Sequence, residues 1–372
     1  MKILELTNYS AGICGVWQRV KQESSLLSKK HEVKIFSSNI TKGSEEIAQE
    51  KELLGNINIQ RFPAKKLGGE SFMNWNFEKQ ALDYQPDIIL AHSYRHSHTK
   101  KALKIAQKLK KQGKSCKVFL ITHAPFERSS SRSIISNSIV RFYDLFIGKN
   151  IINKFDKVLA ITKWEIPHLI RLGCKKQNIQ YMPNGIPNQL FKQKKSKEQK
   201  NKILFLGRIA PIKDLETLIS AIDLIKNKKY ALEIVGPAKE DYLIKLKKLI
   251  KSKNLTKKVI FSPPIYDLKQ KIKKIDSCNV FVLPSKSEGM PQSLIEAMAR
   301  EKIVIASNTS ASRDLIKDNK NGFLFKICAS NQLAEKIELA FSTDQNKLKK
   351  QAKKAVENFN WNKIINKLES LF

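Results

Sequence analysis

The chain has 372 residues, 41% of them hydrophobic, which suits two globular domains rather than one and supplies apolar side chains for two ordinary cores. Its net charge of +35 is spread as +16 over residues 1–182 and +19 over the rest, without interleaved aromatics; nucleic acid is therefore the weakest reading, and an anionic membrane surface and a lysine-rich composition bias stand level. No run approaches the roughly 20 apolar residues of a membrane-spanning helix, and five scattered cysteines (Cys14, Cys116, Cys174, Cys278, Cys328) with no CxxC pair argue against disulfides or a zinc site and predict reduced, individually buried thiols in a cytoplasmic protein.

Residues Met1 to Leu6, too short and too soon broken by Glu5 for a signal peptide, read as a first buried strand. Gly12-Ile13-Cys14-Gly15-Val16 follows and opens a helix over 16–28. Small residues there let backbone amides approach a phosphate or sugar. Further strands are expected at 32–37, 57–62, 88–91, 117–122 and 157–161, with a helix over 99–112 in which Ala102, Ile105, Ala106 and Leu109 recur at helical spacing. Two histidines stand at strand ends, His92 in Ala91-His92-Ser93 and His123 in Thr122-His123-Ala124; each either caps its strand or faces a ligand. Residues 128–154 set Ile134, Ile135, Ile139, Val140, Phe142, Phe146 and Ile147 among Arg132, Arg141 and Lys149. Such a face either meets a membrane carrying a lipid-linked acceptor or belongs to a long helix packed on the sheet, and the second, plainer reading is adopted.

The turn cluster Pro183-Asn184-Gly185-Ile186-Pro187 and the charged stretch 192–202 mark a boundary. Beyond it the alternation restarts, with strands at 202–206, 230–235, 259–261, 279–283 and 303–306 and helices at 215–225, 241–251 and 291–300. Short apolar strands alternating with amphipathic helices predict parallel sheets covered on both faces. The expected architecture is α/β, with two doubly wound Rossmann-like domains facing across a cleft: 1–182, a linker at 183–201, 202–350, and a terminal helix at 351–372 packing back toward the first domain.

The strand ending at Leu283 runs into Pro284-Ser285-Lys286-Ser287-Glu288-Gly289-Met290-Pro291-Gln292-Ser293-Leu294-Ile295-Glu296-Ala297-Met298-Ala299. Pro291 suits the first position of the next helix, whose free amides favour an anion. Glu288 in the loop and Glu296 in the second turn can then face one ligand with a phosphate between them. An arbitrary pair of glutamates would be two surface carboxylates, but this segment resembles the family 4 retaining glycosyltransferases of the GT-B fold. Their signature sets two glutamates with seven residues between them within a P-S-x-x-E-G…EAMA stretch, matched here by Pro284-Ser285, Glu288-Gly289 and Glu296-Ala297-Met298-Ala299. The resemblance implies that Glu288 lies by the donor sugar, that Glu296 binds ribose hydroxyls, and that Gly289 and Met290 touch the donor.

Leu204-Phe205-Leu206-Gly207-Arg208-Ile209-Ala210-Pro211-Ile212-Lys213-Asp214 matches a second element of that family. Taken alone, Arg208 and Lys213 are solvated cations; by resemblance they and Gly207 hold the donor diphosphate, where fixed cations stabilise a leaving phosphate. The family usually has glycine where this chain has Asp214. Glu233-Ile234-Val235-Gly236-Pro237 resembles its strand end near the nucleotide, and Ser262-Pro263-Pro264 replaces its glycine-containing loop near the base. Gly15 falls in its glycine-rich loop, His123 near the reacting sugar, Asn184-Gly185 at its hinge, and Phe359-Asn360-Trp361 in its terminal segment.

The function so implied is retaining transfer of a hexose-type sugar from a nucleoside-diphosphate sugar to a glycan or lipid-linked acceptor, in cell-surface polysaccharide or glycoconjugate synthesis. Glu288 and His123 would be catalytic, and no cofactor, metal or nucleic acid is implied; the sequence has no DxD. The implied location is cytoplasmic, peripheral on the inner membrane face if the charge serves that surface. A nucleotide-sugar epimerase, a phosphorylase-like enzyme and a non-enzymatic basic binding module are the alternatives.

Overall fold

Lys2–Tyr9 is buried along all but its first residue, as a central strand covered on both faces must be. It is β1 of the computed structural model, which describes residues 1–12, 14–65, 69–126, 134–225, 229–342 and 346–372; the side chains of 134–136 are not among them. The chain forms two compact units, Met1–Gly185 with Trp361–Phe372, and Ile186–Asn360.

In the first unit β1 is followed by β2 (Glu32–Ser38), β3 (Lys51–Leu54), β4 (Ile57–Phe62), a small antiparallel ribbon of β5 (Ala64–Lys65) and β6 (Asn74–Trp75), then β7 (Ile88–His92), β8 (Lys117–Ile121), β9 (Lys157–Ala160) and β10 (Ile179–Tyr181). The main sheet runs β10-β9-β8-β7-β1-β2-β4-β3. It is parallel except where β3 pairs antiparallel with β4. That edge strand, Lys-Glu-Leu-Leu, is exposed for three of its four residues and has no buried face to reveal it in sequence. Helix Gly15–Leu27 buries Trp17, Val20 and Leu27 on the sheet, and with them Arg19 and Glu23.

The second unit contains β11 (Lys202–Leu206), β12 (Ala231–Val235), β13 (Val259–Ser262), β14 (Val280–Leu283), β15 (Ile303–Ser307) and β16 (Phe323–Phe325). They lie in the order β13-β12-β11-β14-β15-β16, every pair parallel. This is the doubly wound Rossmann order, built outward from β11 in both directions. The expectation of two doubly wound α/β domains is met.

Within β12, Glu233 takes hydrogen bonds from Lys274 Nζ at 2.7 Å and Ser262 Oγ at 2.5 Å, and pairs with Lys202 Nζ at 2.8 Å. Burial works to raise its pKa, but these donors outweigh it and hold the carboxyl at about 2. A carboxylate with its folded pKa below the unfolded value stabilises above the unfolded pKa, and that contribution is lost as pH falls toward the folded one. Glu233→Gln is therefore expected to lower stability near neutral pH by about 2–3 kcal/mol. The deficit should shrink between pH 4.5 and 2, as checked by urea unfolding of both proteins.

The reading of 351–372 as one terminal helix is replaced by two elements. Helix Asn346–Val356 belongs to the second unit and helix Trp361–Glu369 to the first. In the first unit Lys367 Nζ donates to the Tyr181 carbonyl at 2.7 Å, and Glu369 Oε1 lies 3.1 Å from His31 Nε2. A Cβ at Gly185 would stand 2.4 Å from the Trp361 ring, and the φ of Gly185 is not positive, so glycine here serves close packing. Of the cysteines, Cys174 and Cys278 are buried, Cys14 and Cys116 are partly buried, and Cys328 is exposed. The expectation that all five are buried holds for Cys174 and Cys278, is met in part at Cys14 and Cys116, and fails at Cys328, which follows β16 in a loop.

Candidate functional site

In an open α/β sheet, ligands bind beyond the carboxyl ends of the strands at the point where the winding reverses. In the second unit that point lies between β11 and β14. β11 ends into Gly207 and Arg208, and β14 into the loop carrying Ser285, Glu288, Gly289 and Met290. The close approach of neighbouring strand ends requires Gly236: its φ is +148°, and a Cβ would come 2.0 Å from the Gly207 carbonyl oxygen.

Arg208 is exposed. Lys213 closes the short turn Pro211–Lys213, and its Nζ donates to Glu288 Oε1 at 2.5 Å. The same oxygen accepts from Ser285 Oγ at 2.6 Å, and Ser285 is itself anchored by Ser307 Oγ on its carbonyl. The Lys286 amide donates to the Ile212 carbonyl at 2.9 Å, fastening one loop to the other. A cation and a carboxylate 75 positions apart in sequence are thus held as one unit.

Asp214 occupies the position where glycine was expected. Its φ of 49° and ψ of 49° place it in the left-handed region, which glycine, asparagine and aspartate tolerate best. Its carboxylate is turned to Thr217, whose hydroxyl donates to it at 2.7 Å. The substitution therefore keeps the backbone turn that presents Lys213.

Helix Gln292–Ala299 starts one residue later than expected, with Pro291 as its N-cap. Glu296 is 5% exposed and accepts from Lys271 Nζ at 2.7 Å, from helix Leu268–Asp276. Gln292 Nε2 is buried with no hydrogen-bond partner among the described residues. Buried donors are normally paired, which makes this unpartnered amide at the helix start an exception. Sequence reading passed over both Lys271 and Gln292, since neither type of residue is informative in isolation.

In the first unit the winding reverses between β1 and β7. His92 ends β7, with no exposed surface. Its Nε2 lies 2.7 Å from Glu5 Oε2 and its Nδ1 lies 2.9 Å from His123 Nε2. Burial drives the His92 pKa down to about 3, and pushes Glu5 up to about 8 against the pull of Arg19 and Ser24. Burial also lowers His123 well below its ordinary value, assisted by His92, Arg19 and His96. His123 and Ala124 have φ of 59° and 53°, and Ser93 and Arg95 have 76° and 73°. Four non-glycine residues in the left-handed region at two adjacent strand ends are the kind of backbone strain that collects at ligand sites. Glu165 helps to hold the turn, accepting from the Ala124 amide at 2.8 Å. His123 lines a cavity of about 650 Å³ with Ser93, Arg95, His96, Thr122 and Pro125.

Gly15 begins helix Gly15–Leu27, and a Cβ there would meet nothing within 4 Å; space is open at this position, and glycine is not sterically required. Ile13 lies outside the described residues. Glu5, Glu23 and His92 are the one group among the described residues whose ligand atoms come close enough for a metal ion, within 4.8 Å of one another. His92 bonds Glu5 and His123, and Glu23 Oε2 accepts from Arg19 Nε at 2.8 Å, while Glu23 Oε1 is buried without a hydrogen-bond partner among the described residues.

The helix-packed-on-sheet reading of 128–154 holds in part. Arg132 lies outside the described residues, as do the side chains of Ile134 and Ile135. Helix Ile134–Phe142 continues into a π-helical turn, Tyr143–Gly148. Tyr143 is buried, and Ile147 packs against the core. Ile139, Phe142, Leu145 and Phe146 are exposed, by 47% to 66%, with exposed Arg141 and Lys149 beside them. Leu145 and Phe146 lie in the π turn, and with Ile139 and Phe142 of the preceding helix they form an apolar ridge that does not reach the core.

Two family models divide the chain. The one described as Glycosyltransferase Family 4 matches residues 13–190, and the one described as Glycosyl transferases group 1 matches residues 188–358. An uncharacterized glycosyltransferase of Methanocaldococcus jannaschii is 27% identical, over 98% of this chain and 96% of its own. The amylovoran biosynthesis glycosyltransferase of Erwinia amylovora is 30% identical over 45% of this chain and 43% of its own. Among solved structures, Anabaena HepE in complex with UDP superposes with a TM-score of 0.76 at 18% identity, covering 100% of this chain and 99% of that one.

Proposed function

The chain belongs to the group 1, family 4 glycosyltransferases, and we propose that it transfers a hexose-type sugar from a nucleoside-diphosphate sugar to a glycan or lipid-linked acceptor, with retention at the anomeric carbon. The observation that carries this reading is the pairing of Lys213 with Glu288, beside exposed Arg208, where the sheet of the second unit reverses. When the bond from the sugar carbon to the phosphate oxygen breaks, its electron pair leaves with the diphosphate. Arg208 and Lys213 then neutralise charge that is greater in the transition state than in the ground state, which is the condition for rate acceleration. In this reading fixed cations do the work for which other transferases use a metal ion. Glu288 positions Lys213 and lies beside the sugar, and Glu296 takes the ribose hydroxyls, for which a carboxylate can accept two hydrogen bonds. Polysaccharide synthesis as the setting is supported by the name of the amylovoran relative.

Thermal shift against a set of nucleotide-sugars tests the donor assignment, because a ligand that binds only the folded chain raises its stability. One donor should stabilise the wild type. Glu296→Ala should weaken that donor about 10- to 100-fold, as expected for a lost hydrogen bond to a charged group. An unchanged dissociation constant removes Glu296 from the donor site, and transfer onto an acceptor separates this reading from an epimerase.

A lipid-linked acceptor is favoured by the exposed ridge of Ile139, Phe142, Leu145 and Phe146 flanked by Arg141 and Lys149, since apolar side chains beside cations suit an anionic bilayer surface. Wild-type protein should sediment with vesicles containing phosphatidylglycerol and much less with pure phosphatidylcholine. Replacing Phe142 and Phe146 together by serine should reduce partition at least tenfold, each buried phenylalanine contributing about 1.5–3 kcal/mol. Equal sedimentation of both proteins would refute the membrane role.

A further inference from the structure

We infer that Glu5 and His92 are positioning residues for His123, and that the proton held on Glu5 decides whether His123 offers its cavity a hydrogen-bond donor or an acceptor. This deepens the reading of His123 as a residue facing the substrate and rests on it.

The argument is one of hydrogen-bond parity. Glu5 Oε2, the two nitrogens of His92 and His123 Nε2 form an unbranched series with contacts of 2.7 and 2.9 Å. Each imidazole is neutral when buried this deeply, so each carries one proton on one nitrogen. Only two consistent arrangements exist. In the first, protonated Glu5 donates to His92 Nε2, His92 Nδ1–H donates to His123 Nε2, and the His123 proton therefore sits on Nδ1. In the second, ionised Glu5 accepts from His92 Nε2–H, His92 Nδ1 accepts from His123 Nε2–H, and His123 Nδ1 carries a bare lone pair.

The arrangements differ by one proton. Passing from the first to the second, Glu5 gives its proton to His92 Nε2, His92 gives the one on Nδ1 to His123 Nε2, and His123 releases the one on Nδ1. Every ring gains and loses one proton, and the net proton appears at Nδ1. That atom makes no hydrogen bond recorded among the described residues, on a ring that lines the cavity. A carboxyl with no exposed surface is thereby connected to the substrate side without solvent reaching it.

The surroundings place the exchange within reach of ordinary pH. Burial raises Glu5 to about 8. From helix Gly15–Leu27, Arg19 favours the ionised form and Ser24 Oγ donates to Glu5 Oε1 at 3.4 Å, while Glu23 opposes ionisation. Arg19 is largely committed elsewhere, to Glu23 at 2.8 Å, the Met182 carbonyl at 3.2 Å and Asn184 Oδ1 at 2.8 Å. Beyond β7, His96 and His98 are both held near 3 by burial and stay neutral; His98 Nε2 lies 2.7 Å from the His92 carbonyl oxygen. Glu165, past His123, is occupied by the amides of Ala124 and Thr162.

Nitrogen-15 NMR of the histidine side chains in the full chain reads the tautomer directly. In the wild type, His123 should carry its proton on Nδ1 at neutral pH and on Nε2 at alkaline pH, in a single step shared with His92. Glu5→Gln cannot ionise, and in it both rings should hold one tautomer throughout. A wild-type His123 that keeps one tautomer over the whole range, or a Glu5→Gln protein that switches with the wild-type midpoint, overturns the inference. Should Glu5→Gln fail to fold, the wild-type titration decides alone. Nucleotide-sugar binding measured on the same samples tests the donor reading separately, since the tautomer step needs no donor.

Discussion

Arg208→Ala should lower kcat/KM for sugar transfer about 100- to 1,000-fold and leave the unfolding temperature unchanged. Removing one preorganised group that stabilises developing transition-state charge costs roughly 3–4 kcal/mol. The structural side of the expectation is as sharp as the catalytic one. Arg208 is exposed and follows β11 directly, and no hydrogen bond or ion pair to it is recorded among the described residues. Its removal deprives the fold of nothing, because exposed charges without partners contribute little to stability. Steady-state kinetics and a melting curve on the same preparation check both halves. Full activity would place the diphosphate elsewhere.

Glu288→Gln should cost as much activity, by another route. The substitution keeps shape and hydrogen-bonding capacity but removes the negative charge that holds Lys213 Nζ at 2.5 Å. Lys213 is then free to turn to solvent, and both the carboxylate beside the sugar and the ordered cation on the phosphate are lost. The two losses are separable by a double-mutant cycle with Lys213→Met. If Glu288 acts only through Lys213, the double variant is no worse than Lys213→Met alone. If Glu288 also touches the reacting sugar, the double variant is slower still. A single Glu288→Gln variant with wild-type rates would remove Glu288 from the reaction altogether.

The fold was legible in sequence where burial is strongest. β1, β11 and β14 are buried on both faces, and each reads as a short apolar run. What escaped was short or solvated: β3 is an exposed edge, and β10 and β16 have three residues each. In the candidate site, Glu288, Gly289 and Glu296 could be proposed from sequence because they lie close together along the chain. The link between Lys213 and Glu288 was not, since nothing local couples residues 75 apart. Asp214 looked like a departure from pattern in one-letter form; its left-handed dihedrals supply the reason for tolerance. Glu5 did give a signal, as a carboxylate inside an apolar strand must find a partner. Its partners, Ser24 and His92, stand on other elements, and only the tertiary structure brings them together.

The division of the chain at Gly185 and Trp361 has a consequence for biosynthesis. Residues 361–372 belong to the first unit, yet 175 residues of the second unit separate them from Gly185. A ribosome therefore releases every element of the second unit before it releases the helix that covers Gly15–Leu27 and seats Trp361 on Gly185. The unit begun first is the unit finished last. A nascent chain stalled short of Trp361 would carry a completed Rossmann unit downstream of one whose helix Gly15–Leu27 still lacks its cover, and that bare helix face is where a chaperone would find its binding site.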